Sequence, residues 1–156
     1  MIILKKYLVL LISLILIGIL TGCGQGNEYE GKWITSVASN WDGAKILRKL
    51  EIRKNGENYI LNLSIEEYKD TGKTLGQMGK RAAWKTVSAT PISATLKDGK
   101  LIIDSSTAFT YIKSDGTILG PKGEIYKKET TEEYNRLKSE SAAVFKQKYP
   151  KVIIEE

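Results

Sequence analysis

Residues 45–65 read KILRKLEIRKNGENYILNLSI, two alternating stretches on either side of Asn55-Gly56. Both residues of an Asn-Gly pair tolerate positive φ, which favours a two-residue β-hairpin turn. One face of the first stretch carries Ile46, Arg48, Leu50 and Ile52, and one face of the second carries Tyr59, Leu61, Leu63 and Ile65. The segment therefore predicts a β-hairpin with one largely apolar face.

The same pattern continues outward from this hairpin, with further turn signals at Asp98-Gly99 and Asp115-Gly116. We predict eight short strands at 31–37, 45–54, 59–65, 81–89, 93–97, 100–104, 107–113 and 124–128. Eight meandering antiparallel strands predict an up-and-down barrel, because closure removes the exposed edges of an open sheet. The two long connections, 38–44 and 69–80, are expected at the open rim. The Asn55-Gly56 turn and the Thr90-Pro91 break are expected at the closed end.

After Lys128 the apolar period becomes helical. Thr130 and Glu133 form a capping-box pattern, and Pro150 ends the periodic stretch. The pattern predicts an amphipathic helix of about 131–149 with a narrow apolar stripe, suited to packing on the barrel exterior. The predicted fold class is all-β, an eight-stranded antiparallel barrel with a C-terminal α-helix packed outside.

The N-terminus has the layout of a secretory signal: Lys5-Lys6, an apolar run over 7–20, and then Leu20-Thr21-Gly22-Cys23. The run is shorter than the roughly 20 residues that a spanning helix needs. Its ending resembles the bacterial lipobox, which implies cleavage before Cys23 and attachment of diacylglycerol and fatty acyl chains such as palmitate. We therefore expect a lipoprotein signal peptide at 1–22, a lipidated cysteine and tether at 23–28, and one barrel domain at 29–156.

This resemblance implies a domain held outside the cytoplasmic membrane through its lipid anchor, or on the outer membrane of a diderm organism. The chain has no histidine, and Cys23 is its only cysteine, so the usual general base and free thiol are missing. No enzyme activity, catalytic residue, metal or cofactor is predicted. The net charge of +6 is spread among acidic residues, and we expect no nucleic-acid partner.

The first predicted strand opens with Gly31-Lys32-Trp33, which resembles the Gly-x-Trp signature of the lipocalins, calycin-type ligand-binding barrels. The resemblance implies that Trp33 plugs the closed end and that a basic residue near the end of the last strand packs across its ring. Lys127 or Lys128 is at that position, and we assign barrel closure to Gly31, Trp33 and Lys127. The family's Thr-Asp-Tyr motif is absent, with Thr110-Tyr111 the nearest match.

Five side chains are candidate ligand contacts. Arg48 shares a face with apolar residues, so it either contacts an anion inside the barrel or reaches solvent at the rim. Trp41, in the first rim loop, is a lid, a partner contact or a residue folded back on the domain. Trp84, Phe109 and Tyr111 lie on predicted strands and are either plain core or cavity lining.

These features predict an anchored, monomeric extracytoplasmic lipoprotein of the cell envelope that binds a small apolar or amphipathic ligand in its barrel. The alternative is a filled barrel whose loops bind an envelope protein, as an inhibitor or an assembly factor.

Overall fold

The computed structural model describes residues 26–39, 44–71 and 81–155. The predicted signal peptide, Cys23 and Trp41 lie outside the described residues. A short 3-10 turn (Asn27–Tyr29) leads into the first strand. The strands are β1 (Gly31–Ala38), β2 (Lys45–Asn55), β3 (Asn58–Asp70), β4 (Arg81–Ser88), β5 (Ile92–Lys97), β6 (Lys100–Ile102), β7 (Ala108–Ile112), β8 (Thr117–Leu119), β9 (Ile125–Lys128) and β10 (Ile153–Glu155). One α-helix, α1 (Thr131–Lys148), precedes β10.

The prediction of a closed eight-stranded antiparallel barrel with an outer helix is confirmed. Around the ring, β1, β2 and β3 are followed by β5, β6, β7, β8 and β9, and β9 pairs with β1 again. Every strand pairing of the ring is antiparallel between neighbours in an up-and-down meander. The alternation of apolar residues seen in the sequence thus becomes the alternation between barrel interior and exterior.

The strands that make up the ring differ from the predicted set. β4 and β5 both run antiparallel to β3, β4 along its second half and β5 along its first. The Ala89 N–H donates to the Leu63 carbonyl at 2.9 Å in the gap between them. β4 and β5 therefore occupy one position in the barrel wall, and we call each such position a stave. The chain does not reverse at Thr90-Pro91, and this break lies beside the middle of β3 rather than at the closed end. The missing stave is β8, a strand of three residues.

Unequal strand lengths give the barrel two different ends. β2 has 11 residues and β3 has 13, whereas β6 and β8 have three each. β1 pairs with β9 only at Trp33 and Ile34, although β1 continues to Ala38. The long strands therefore project beyond the short ones, and the barrel opens at the step between them. We call this opening the mouth.

Helix α1 packs against the outer face of the long strands. The Thr130 hydroxyl caps it by accepting the Glu133 N–H at 3.1 Å, which satisfies one of the free amides of the first turn. Leu137 and Phe145 are buried against the sheet, and the Ser141 hydroxyl donates to the Lys45 carbonyl. Among the described residues, no helix is long and apolar enough to cross a membrane.

Candidate functional site: the mouth of the barrel

The closed end is filled by aromatic side chains that satisfy one another's polar atoms. Trp33 and Tyr29 are completely buried, and the indole N–H donates to the Tyr29 carbonyl at 2.7 Å. The Tyr29 hydroxyl donates to the Gly99 carbonyl at 2.7 Å and accepts the Tyr111 N–H at 2.8 Å. The hydroxyl thereby joins the backbone of the turn between β5 and β6 to that of β7, and the described side chains pack closely at this end.

A lysine covers the Trp33 ring at this end. The Lys128 ammonium lies 3.9 Å from the ring centroid and donates to the Glu30 carbonyl, and burial lowers the pKa of Lys128. We predicted Lys127 for this contact, and that assignment is wrong, since Lys128 pairs with Trp33 and Lys127 pairs with Ile34, whose side chains point to the opposite face. Gly31 has a φ of +117°, and a Cβ there would lie 3.0 Å from the Lys128 ammonium.

The mouth, at the opposite end, contains a cavity of about 390 Å³. Its floor is Phe109 and Tyr126, which are 2% and 1% exposed. Its walls are apolar side chains and short connections between strands. They comprise Leu63, Ile65, Val87, Ser88, Ala89, Ile92, Ile103, Thr107 and Pro121. The apolar floor and walls resemble those of a site for a small apolar molecule.

An ion pair stands at one side of the mouth. The Arg48 Nη1 donates to the Glu124 Oε1 at 2.8 Å, and the Lys122 backbone N–H donates to the other carboxylate oxygen at 2.8 Å. The Arg48 side chain is 26% exposed and that of Glu124 is 8% exposed. Arg48 therefore points into the barrel and also reaches the rim, where Glu124 holds it against the turn between β8 and β9.

Tyr126 lies beside this pair. Burial, reinforced by the nearby Glu124 carboxylate, raises the pKa of Tyr126 to about 12, although the Arg48 guanidinium opposes the shift. The phenol is therefore protonated at neutral pH and remains a hydrogen-bond donor on the cavity floor.

The structure places the candidate contacts Phe109, Tyr111 and Trp84 in three different parts of the molecule. Phe109 lines the mouth. Tyr111 belongs to the closed end, where its ring lies 5.9 Å from that of Tyr29 and 6.2 Å from that of Trp33. Trp84 is outside the barrel, because its face of β4 is the one that helix α1 covers. Trp84 and Ala82 share this face of β4, which packs on the helix rather than into the cavity.

Trp84 belongs to a polar cluster between the helix and the sheet. The Glu66 carboxylate, 8% exposed, accepts the Trp84 indole N–H and the Tyr134 hydroxyl, both at 2.9 Å. Lys49 lies 3.4 Å from Glu66 and 2.7 Å from Glu129. Burial opposes the charged lysine, but the two carboxylates outweigh burial and raise the pKa of Lys49. This cluster ties the helix to the barrel.

Sequence reasoning missed Glu124, Lys122 and Val87 as residues of the mouth. Glu124 was predicted as the first residue of the last strand, whereas it lies in the turn before β9, and this turn brings its side chain to Arg48. A second hollow of about 440 Å³ lies on the barrel exterior, lined by polar and charged side chains such as Lys32, Glu51 and Asn62. Two of its charged residues, Lys49 and Glu129, already pair with each other.

The described residues contain no group of three or more histidine, cysteine, aspartate or glutamate side chains placed to hold a metal ion.

No protein-family model matches the chain, and neither a curated protein nor a solved structure matches it. The assignment of function therefore depends on the barrel and its mouth.

Proposed function

We propose that this chain is a lipid-anchored, extracytoplasmic protein that binds a small apolar or amphipathic ligand in the mouth of its barrel. The observation that carries the proposal is the contrast between a filled closed end and an apolar cavity of about 390 Å³ at the other end. Ligand sites in proteins are commonly concave, mostly apolar and about 300–1,000 Å³ in volume.

The lining supports a binding role over a barrel filled throughout. Ile65, Ile92 and Ile103 are only partly buried although they face the cavity, and Val87 is 47% exposed. Burying such side chains against a ligand would gain roughly 25 cal/mol per Å² of apolar area removed from water. A ligand that covers the walls and floor would therefore be stabilised without any rearrangement of the closed end.

The anchor would be attached at the closed end. Gly26 lies against the Tyr59 side chain at that end, and Cys23 is three residues earlier. Three residues span at most roughly 11 Å, so an acylated Cys23 would hold the closed end near the membrane. The mouth would then face away from the anchoring bilayer, and the ligand would enter from the aqueous side.

Mass spectrometry tests both parts of the proposal. Native and denaturing spectra of residues 24–156, taken directly after purification or after incubation with a lipid extract, should differ by the mass of a bound small molecule. A clean ligand-free mass in both samples would contradict ligand binding. For the anchor, the membrane-bound chain should begin at an acylated Cys23, and a Cys23→Ala variant should keep residues 1–22.

A second candidate function, protein binding, is favoured by an edge of β4 that no described strand pairs beyond Ala83. Since the Ala89 N–H points to β3, alternation directs the backbone groups of Trp84, Thr86 and Ser88 away from β3. Within the described residues, β10 pairs only with Arg81, Ala82 and Ala83. An extended segment of an envelope protein could add a strand here. Thr86→Pro should then abolish capture of that protein, while ligand uptake should be unchanged.

A further inference from the structure

We infer that the ligand of the mouth carries one anionic group, a carboxylate or a phosphate monoester, which the Arg48 guanidinium binds at the rim. The inference rests on the proposed ligand-binding function and specifies the chemical class of ligand.

The charges at the mouth do not balance. Its lining includes two cations, Arg48 and Lys122, and one anion, Glu124. Both oxygens of Glu124 already accept hydrogen bonds, one from the Arg48 side chain and one from the Lys122 backbone. The carboxylate thus positions Arg48 and closes the rim turn, and with the Lys122 ammonium the lining as a whole keeps an excess of one positive charge, which favours an anion at the opening.

Arg48 has donors to spare. A guanidinium carries five N–H donors in a rigid planar fork, and the contacts with Glu124, through Nη1, and with Tyr126 use only part of them. The side chain is 26% exposed and lines the mouth, so part of it can be reached by a ligand there. Hydrogen bonds from a guanidinium to an anion are about twice as strong as those between neutral groups. An anionic head therefore gains more from this position than a hydroxyl or an ester.

The position of Arg48 also sets the orientation of the ligand. Phe109 and Tyr126 form the apolar floor below it, and Pro121 and Lys122 lie on the rim beside it. An amphiphile would direct its tail to the floor and its charged head to Arg48. The Tyr126 phenol, which contacts Arg48 and is protonated at neutral pH, supplies a further donor near the same point.

Photo-crosslinking of the full chain in nanodiscs tests this inference. The probes are dodecyl chains with a diazirine at the tail end and a carboxylate, a phosphate or a hydroxyl at the other end. We expect the two anionic probes to label cavity residues at least 10-fold more than the alcohol does. Arg48→Met should reduce their labelling to that of the alcohol, whose own labelling should not change. Arg53→Met, an exposed arginine of the same strand, is the matched control and should change nothing.

Glu124→Gln separates a binding role of Arg48 from a merely structural one. Without its internal counter-ion, Arg48 should bind the anionic probes more tightly, so their labelling should rise while that of the alcohol stays constant. A fall in labelling by all three probes would overturn the inference, and so would equal cavity labelling by all three in the unmodified protein. Equal cavity labelling by all three probes would still support ligand binding. If no probe labelled the cavity, the proposed function would be overturned as well. The ratio of carboxylate to phosphate labelling distinguishes a fatty acid from a phosphorylated lipid.

Discussion

The two ends of the barrel differ in how their interior is filled. At the closed end, Trp33 and Tyr29 are completely buried, and their polar atoms bond to backbone groups of the barrel itself. At the mouth, Arg48 and Glu124 face an apolar cavity, and Val87 is nearly half exposed. The comparison indicates that close packing is concentrated at one end and that the other end is left open.

The physical origin of the difference is the length of the strands. At the closed end all eight strands are present, and large side chains from opposite sides of the barrel meet and fill its interior. Where β5–β9 stop and β1–β4 continue, no described strand faces the long strands across the barrel, and their inner face, with Arg48, Ile65 and Val87, borders the mouth. Helix α1 covers the outer face of these strands, so only the inner face remains open.

The largest effect is expected at the closed end. Trp33→Ala removes a fully buried indole and its hydrogen bond, and should lower the free energy of unfolding by about 3–5 kcal/mol. Val87→Ala at the mouth should change it by less than about 0.5 kcal/mol, because nearly half of that residue is already exposed. Urea denaturation of both variants measures the two values, and similar losses would break the comparison between the ends.

The next effect concerns the cluster beneath helix α1. Glu66→Ala leaves the Trp84 and Tyr134 donors without their acceptor and should lower the free energy of unfolding by about 3 kcal/mol. The neighbouring Glu67 points to the other face and makes a surface ion pair with Lys69, so Glu67→Ala should change it by less than about 1 kcal/mol. Denaturation curves in which both variants coincide would show that the cluster does not hold the helix.

A smaller effect, dependent on pH, is expected at the floor of the mouth. The pKa of Tyr126 is about 12 in the folded protein, against an ordinary value of 10.0. The protonated phenol therefore favours the folded state, and its contribution is complete below pH 10 and is lost as the pH rises from 10 to 12. The loss should be about 2 kcal/mol.

Urea denaturation between pH 9 and pH 12 measures this loss, and Tyr126→Phe is the control because it keeps the ring without the titrating group. The unmodified protein should lose stability more steeply than the variant. Parallel curves for the two proteins would mean that the floor of the mouth is open to water.

The sequence was sufficient for the barrel and the helix, because both depend on local periodicity. The Asn55-Gly56 hairpin and the Thr130 cap lie where their patterns indicate. The sequence could not show that β4 and β5 form one stave, because a proline between two strands gives the same sequence pattern whether or not the chain reverses direction there. β8 is too short to show alternation, and its omission made the predicted set of staves differ from the real one.

The site was less accessible to sequence reasoning than the fold. The register of β2 correctly placed Arg48 on the inner face, but its partner Glu124 is 76 residues away along the chain. Whether Trp84 points into the barrel or towards the helix depends on which side of β4 the helix covers. This is set by tertiary packing and could not be predicted from the sequence. The local sequence pattern shows which residues of a strand share a face, whereas the assembled barrel is needed to show which face lines its interior.

Binding of N-phenyl-1-naphthylamine, a neutral apolar fluorophore, to residues 24–156 tests most directly whether the mouth is the binding site. We predict one saturable site, at least 10-fold weaker binding by Val87→Asp, and unchanged binding by Ser93→Asp, an exposed position of the same stave outside the cavity lining. Thermal denaturation should show both variants folded. Equal binding by all three proteins, or no saturable binding by any of them, would contradict the account.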